Sequence, residues 1–375
     1  MVYSNFSGFG EVSLLGFGCM RFPTVSPDSQ EIDEKKALPL IEHAYKNGIN
    51  YFDTAYTYHN ETSESFVKKA LAAYPRESYF LADKLPTFFL KDKGDPKRFF
   101  EEQLKRCGTD YIDFYLLHSL DADNTALMEQ FGAYEYAFEM KKQGKVRHLG
   151  FSFHGRPDEL PQLLDRYEFD FAQLQLNYLD WELQDAKTQY ETLTERGIPV
   201  VVMEPVRGGA LSTLSDKALE ILHKENQTAS AASWAMRYVY SLDNILIILS
   251  GMSAIPQIDD NLATFSERIP LTENERRVLS SALTAYKASG TIPCTGCNYC
   301  MDCPFGVDIP RVFSTYNQYR TGRDTIMFEL TYNNFGEEKQ AHHCTACGAC
   351  MKMCPQSIDI PARMVEVKEF AASIP

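Results

Sequence analysis

Residues 34–58 read EKKALPLIEHAYKNGINYFDTAYTY. Across 34–46 the apolar residues recur at helical spacing, with Leu38, Ile41 and Tyr45 on one face. A short continuous apolar run follows, Asn50-Tyr51-Phe52, and it closes on Asp53. Runs that do not alternate fit strands buried on both faces, as in parallel sheets. The same unit of helix, turn and buried strand recurs along the chain. Apolar runs at 14–18, 79–82, 112–117, 149–153, 171–176, 200–203 and 245–249 join 50–53 to make eight. Helix patterning fills the stretches between them, as over 129–142, where Gly144 supplies a glycine cap. Eight strand–helix units predict an α/β fold, a (β/α)8 TIM barrel. The segment before residue 14 is read as a hairpin. A doubly wound sheet is the competing architecture, and no GxGxxG follows a strand to support it.

At 375 residues the chain accommodates such a barrel and an appendage. The sequence changes character near Ser289-Gly290, and the expected domains are 1–285, the barrel, and 286–375, a second module. A formal charge of −14 repels phosphate backbones and argues against a nucleic-acid partner. No apolar run approaches the ~18 residues that would span a bilayer. The first residues show no basic segment followed by an apolar one, so the expected address is the cytoplasm and no membrane partner is expected.

Of ten cysteines, eight fall in two short runs. The first is Cys294, Cys297, Cys300 and Cys303, then Pro304. The second is Cys344, Cys347, Cys350 and Cys354, then Pro355. A secreted disulfide scaffold is shorter and scatters its cysteines. Three cysteines at two consecutive two-residue spacings let one loop wrap three corners of a [4Fe–4S] cubane, and the fourth cysteine, followed by proline, serves the other cluster. That logic assigns Cys294, Cys297, Cys300 and Cys354 to one cluster, and Cys344, Cys347, Cys350 and Cys303 to a second. The first run departs from the bacterial ferredoxin pattern in having two residues, not three, before its last cysteine. Zinc is the competing reading, but zinc knuckles pair two CxxC units across a longer gap. Val307-Asp308-Ile309-Pro310 and Ile358-Asp359-Ile360-Pro361 repeat after the two runs, which suits a pseudo-symmetric, mainly helical ferredoxin-like unit with a helix over 311–319. Cys19 and Cys107 read as small buried residues.

Barrel chemistry sits at the C-terminal ends of the strands. Asp53 closes the second run, Tyr58 lies in the loop after it, Lys84 closes the third run and His118 the fourth. One such residue alone is more often structural; four at successive strand ends point to a site.

The stretch Phe52-Asp53-Thr54-Ala55-Tyr56-Thr57-Tyr58, with Lys84 and His118 at those intervals, resembles the aldo/keto reductase family over about residues 1–285. The cysteine module and Leu15-Gly16-Phe17-Gly18-Cys19-Met20-Arg21-Phe22-Pro23 resemble an iron–sulfur-containing bacterial subgroup with a C-terminal dicluster domain. The resemblance implies NAD(P)H-dependent reduction of an aldehyde or ketone, or oxidation of the alcohol. Tyr58 is then the general acid. Tyrosine, with a reference pKa of about 10, needs help to give up its proton, and the charge of Lys84 would supply it. Asp53 holds Lys84, and His118 donates to the carbonyl oxygen. The resemblance also places Ser152 and Gln173 on the nicotinamide carboxamide; Phe153 stands where the family often has asparagine. Pro205, Arg207 and Gly209 fall in the loop over the pyrophosphate. Gly251, Ser253, Gln257, Asp260 and Asn261 fall at the adenosine end. Gly251 and Gln257 replace the Lys and Arg of better-known NADP-dependent members, so NADPH and NADH both stay open.

Arg21 reads as a structural ion-pair partner and His154 as a satisfied polar residue. Phe88, Phe89, Tyr178 and Trp181 line a substrate pocket or serve as core. Hydride transfer moves two electrons together and each cluster moves one. Two rival readings therefore stand: an electron-transfer protein joining a nicotinamide pool to a ferredoxin-type redox partner, and a non-catalytic redox sensor. The intact four-residue set disfavours the sensor.

Overall fold

The computed structural model describes residues 1–26, 29–301 and 303–374. Eight parallel strands close into a barrel in chain order. They are β1 (Leu15–Gly18), β2 (Tyr51–Asp53), β3 (Phe80–Leu85), β4 (Ile112–Leu120), β5 (Val146–Phe153), β6 (Phe171–Gln175), β7 (Val200–Met203) and β8 (Ile245–Ser250). β8 returns to β1, with Leu15 opposite Ile248. Each coincides with an apolar run read from the sequence, because a strand covered by helices outside and packed side chains inside has no polar face to write as alternation.

The helix Glu34–Lys46 has the bounds that its periodicity predicts, and Asp33 caps it by accepting from the Lys36 N–H at 3.4 Å. Its buried stripe is Ala37, Leu40, Ile41 and Ala44. Leu38 and Tyr45 sit at the flank. The expected single helix over 129–142 is two, Ala122–Gln130 and Ala133–Lys142, broken at Gly132 with φ +71°. The N-terminal hairpin is reduced to one antiparallel bridge, Tyr3 to Ser13. Phe6 and Phe9 pack against a core of Val12, Tyr51, Phe114 and Phe171.

The chain divides into two compact units. One comprises Met1–Pro205 and Met236–Pro270; the other comprises Val206–Ala235 and the chain from Leu271 onward. The packing therefore groups 206–235 and 271–285 with the cysteine-rich region, although the change in composition falls near 290. In this second unit the helix Asp216–Glu225 lies along Glu273–Lys287, and Asn274 donates to Glu225 at 2.9 Å. A capping box of Thr272 and Glu275 starts the latter helix.

The repeated four-residue pattern has a clear physical meaning. Val307, Ile309, Ile358 and Ile360 are all core residues. Asp308 and Asp359 are N-caps, accepting from Arg311 N and Ala362 N at 3.2 and 3.1 Å. The prolines sit in the first turns of the helices Ile309–Gly322 and Ile360–Ser373, where a missing N–H costs nothing. Among the described residues no helix is long and apolar enough to cross a membrane.

Candidate active site and cysteine centres

Asp53 ends β2 and Lys84 lies near the end of β3, so parallel pairing brings both to one mouth of the barrel. Lys84 Nζ donates to Asp53 Oδ1 and to the Thr54 carbonyl, both at 2.7 Å. Its side chain is 0% exposed. A buried ion pair is stable only when each charge keeps its partner. Burial pushes the Asp53 carboxyl up, and Lys84 pulls it back. Lys84 Nζ stands 4.9 Å from the Tyr58 ring centroid. The Tyr58 and His118 rings lie edge to face, 6.3 Å apart. The structure thus brings Asp53, Tyr58, Lys84 and His118 together. β4 runs past His118 to Leu120, and its pairing with β5 is irregular between Leu117 and Leu120, where Ser119 takes φ +58°.

Burial is the main cause that raises the Tyr58 phenol well above its ordinary range, with Asp53, Cys19, Glu204 and Asp83 adding to it. Desolvation is thus the leading influence on the Tyr58 phenol in the folded protein. His118 is held well below its ordinary value by burial and then by Lys84, so it is a neutral imidazole. Its Nδ1 has no hydrogen-bond partner among the described residues. Phe88, half exposed, stands over His118 at 6.2 Å between rings, while Tyr178 is buried. Trp181 and Tyr178 both pack edge-on against Tyr238. Arg21 pairs with Glu204 at 3.2 Å. Burial lowers His154 to about 4. Cys19 and Cys107 are buried.

The positions assigned to a nicotinamide cofactor divide. Gln173 keeps a buried, unpartnered Oε1, and its amide makes only a long 3.5 Å contact to the Met203 sulfur. Ser152 Oγ accepts from Ser119 N at 2.7 Å, leaving its hydroxyl proton to give. An unpaired acceptor beside a free donor fits a carboxamide. In the loop after β8, Gln257 Oε1 accepts from Ser253 N at 2.7 Å, which pre-forms the turn. Gly251 lies against Arg21, whose Cδ a Cβ would meet at 3.1 Å. Asn261 is buried and donates to Ser250 Oγ at 3.0 Å, bracing the end of β8, and the Asp260 carbonyl accepts from Thr264. After β7, Pro205 is buried and Gly209 takes φ +95°.

Arg207 is elsewhere than the resemblance implied. It is 1% exposed and donates to Pro293 O at 2.7 Å and Gln356 Oε1 at 2.8 Å. Those partners flank Cys294 and Cys354, so its guanidinium braces the cysteine region. Nothing local signals this, because the acceptors lie 86 and 149 residues away.

The eight cysteines gather in two sets. Burial raises the Cys294 thiol to about 11, with Cys297 and Cys354 adding to it and Arg207 opposing. Burial likewise raises Cys300, followed by Cys297, Cys294 and Cys354. Cys350 is raised by burial, then by Cys344, Cys303 and Cys347. Each fourth cysteine thus lies with the other run's triplet. Crowded thiols that raise one another are poor company without a metal and good ligands for one, since coordination takes the proton away. Cys303, Cys344, Cys347 and Cys350 line a cavity of about 200 Å³, together with Phe305, Met353 and Pro361.

A closed barrel whose one mouth gathers an acid, a phenol, a buried ammonium and a neutral imidazole is built for proton-coupled oxidoreduction. Residues 14–283 match the model described as the aldo/keto reductase family, and residues 293–358 match that of a 4Fe-4S dicluster domain. The chain belongs to the aldo/keto reductase family. Among solved structures, an aldo-keto reductase from Bacillus halodurans in its holo form superposes with a TM-score of 0.62 at 28% identity, covering 75% of this chain and 96% of that one. The probable aldo-keto reductase 1 of Glycine max is 26% identical over 322 residues, 75% of this chain and 88% of its own length. L-galactose dehydrogenase of Arabidopsis thaliana is 28% identical over 279 residues, 68% of this chain and 85% of its own. The protein is an oxidoreductase of a nicotinamide-using family, with an iron–sulfur-binding, cysteine-rich C-terminal region.

Proposed function

We propose that the protein reduces an aldehyde or ketone with NADPH or NADH in the cytoplasm, or oxidises the corresponding alcohol, with Tyr58 as general acid. The observation that carries this reading is the wholly buried Asp53–Lys84 pair beneath the Tyr58 ring, with neutral His118 beside it. Bound nicotinamide supplies a hydride to the carbonyl carbon. Tyr58 keeps its proton at every working pH and gives it only to an oxygen that is gaining negative charge. Lys84, fixed by Asp53 and Thr54, lies against the ring and steadies that charge shift. His118 orients the carbonyl oxygen by a hydrogen bond. Ser152 and Gln173 hold the carboxamide, Pro205 bounds the pyrophosphate, and Gly251, Ser253, Gln257, Asp260 and Asn261 form the adenosine end. Residues 1–285 carry this reaction. Residues 286–375 hold two [4Fe–4S] clusters, an inner one on Cys294, Cys297, Cys300 and Cys354 and an outer one on Cys303, Cys344, Cys347 and Cys350.

A second reading has one observation in its favour. Cys347 is exposed, as are Met301, Phe305, Met351 and Met353 in the same loops. An open, apolar surround suits electron exchange with a ferredoxin-type partner. The test is NADPH and NADH oxidation by anaerobically purified, cluster-loaded protein with small aldehydes, ketones and sugars. Turnover that disappears in Tyr58→Phe supports the reductase. Nicotinamide binding without turnover of any carbonyl sinks it and favours the electron carrier.

A further inference from the structure

Arg207 is among the largest fully buried side chains of the protein. A guanidinium cannot shed its proton to escape burial, so the fold must use the charge or bear its cost. Its position shows a use. One amino group donates to the carbonyl of Pro293, the residue before Cys294, at 2.7 Å. The other donates to the Gln356 side chain, two residues beyond Cys354, at 2.8 Å. Cys294 and Cys354 belong to the same set of four and are far apart in sequence. Arg207 therefore ties together the two segments that must meet to complete that set. The loop that carries it is shaped for this contact. Arg207 and Gly208 both take positive φ, +50° and +62°. A Cβ at Gly208 would lie 2.0 Å from the Thr295 carbonyl, between the first two cysteines of the run. The backbone at 207–208 is thus pressed directly on the first cysteine loop.

The outer set is built differently. Its cavity, which Cys300 of the other set also lines, is bounded by Tyr299, Val307, Ile309, Met353 and prolines; among the described residues no arginine or lysine lines it, and its Cys347 is open to solvent. Net charge, hydrogen bonding and solvent exposure are the levers by which a protein sets cluster potentials. A cation in a dry surround stabilises the extra negative charge of a reduced cluster, and little solvent is there to screen it.

We propose that Arg207 is a positioning and potential-setting residue: it clamps the Cys294 and Cys354 segments and holds the inner cluster at a higher potential than the outer one. The proposal rests on the two-cluster reading given above. Each cluster takes up one electron, so a tenfold change in the ratio of reduced to oxidised cluster at fixed potential corresponds to 59 mV.

The test is a redox titration of the cluster-loaded, full-length protein, followed by electron paramagnetic resonance, with iron counted in the same samples. The unmodified protein is expected to hold eight irons and to titrate in two separate one-electron steps. In Arg207→Gln the higher step is expected to fall, with about tenfold less of that cluster reduced at the same potential, while the lower step stays. Arg207→Lys retains the charge and is expected to restore most of the potential while releasing iron to a chelator faster than the unmodified protein. Two steps that stay where they are in Arg207→Gln, with iron retained, overturn the proposal. If Arg207→Gln cannot hold the inner cluster, Gln356→Ala decides: it keeps the cation and removes one acceptor, so a raised inner-cluster potential supports the proposal and an unchanged or lowered one overturns it. Four irons or fewer in the unmodified protein defeat the two-cluster reading itself, and the proposal with it.

Discussion

The barrel mouth and the cysteine region solve the same problem in opposite ways. Both draw reactive side chains from distant parts of the chain into a buried place. At the barrel mouth the protein supplies both signs of charge, and Lys84 and Asp53 neutralise each other without help. In the cysteine region it supplies eight side chains of one kind; Cys294, Cys300 and Cys350 are raised by burial and then by neighbouring thiols, and Arg207 stands beside one set. The charges of the first site balance within the folded protein. The second is complete only with metal. Self-sufficiency and dependence can therefore be measured separately in one molecule.

The largest effect expected is on the chemical step. Tyr58→Phe removes the proton donor but leaves the buried ion pair, and is expected to lower kcat by roughly 10²–10⁴-fold with nicotinamide affinity unchanged in a fluorescence titration. Equal loss of cofactor affinity would show that Tyr58 holds the fold of the mouth and not a proton.

Breaking the ion pair tests self-sufficiency directly. Lys84→Met leaves Asp53 buried and uncompensated, and denaturant unfolding is expected to show a loss of about 3–5 kcal/mol in the barrel transition. Iron content is expected to stay as it was. Conversely, cluster removal by a chelator at low potential is expected to abolish the order of the cysteine region and leave the barrel transition in place.

Acid is expected to weaken the barrel for a reason that has no counterpart among the cysteines. His118 and His154 have folded values below their ordinary one, His154 at about 4. Between pH 6.5 and 4 the unfolded chain binds protons at these positions and the folded chain does not, so stability falls as pH falls through that window. His154 keeps part of its surface open, so its share is discounted to on the order of 2 kcal/mol. His154→Gln is expected to flatten the pH dependence of the barrel melting temperature, and an unchanged slope would remove His154 from the account.

The smallest expected effect sharpens the contrast from the other side. Gly208→Ala puts a methyl against the Thr295 backbone in a left-handed conformation. About 1–3 kcal/mol of destabilisation confined to the cysteine region is expected, read as faster iron release with barrel unfolding unchanged.

Much of this was legible in the sequence, for physical reasons that differ by region. The eight strands are visible because burial on both faces forces apolar runs. The grouping of Cys354 with the first run's thiols and of Cys303 with the second's is the one expected where two consecutive two-residue spacings let a loop offer three cysteines together. The helix over 129–142 was misread, since Gly132 breaks it by taking a conformation the apolar period does not report. Arg207 is the more instructive case. Its neighbours in sequence suggest a phosphate-facing loop, but its acceptors at Pro293 and Gln356 are set by tertiary packing, which leaves no local trace. The same holds for the Tyr58 phenol, whose neighbours in sequence advertise Lys84 but not the desolvation that outweighs it.

The split of the second unit has a consequence for biosynthesis. Residues 206–235 leave the ribosome between β7 and β8, yet the helix Glu273–Lys287 along which Asp216–Glu225 lies is made afterwards. Gln356, which receives Arg207, and Cys354, which completes the inner set, come later still. Arg207 therefore waits while 86 and 149 further residues are added before its two acceptors exist, and the barrel strands are all available before either cysteine set is whole. Cluster loading is a finishing step, and a chain that stops before Cys354 leaves the ribosome with a full complement of barrel strands and no complete inner cysteine set.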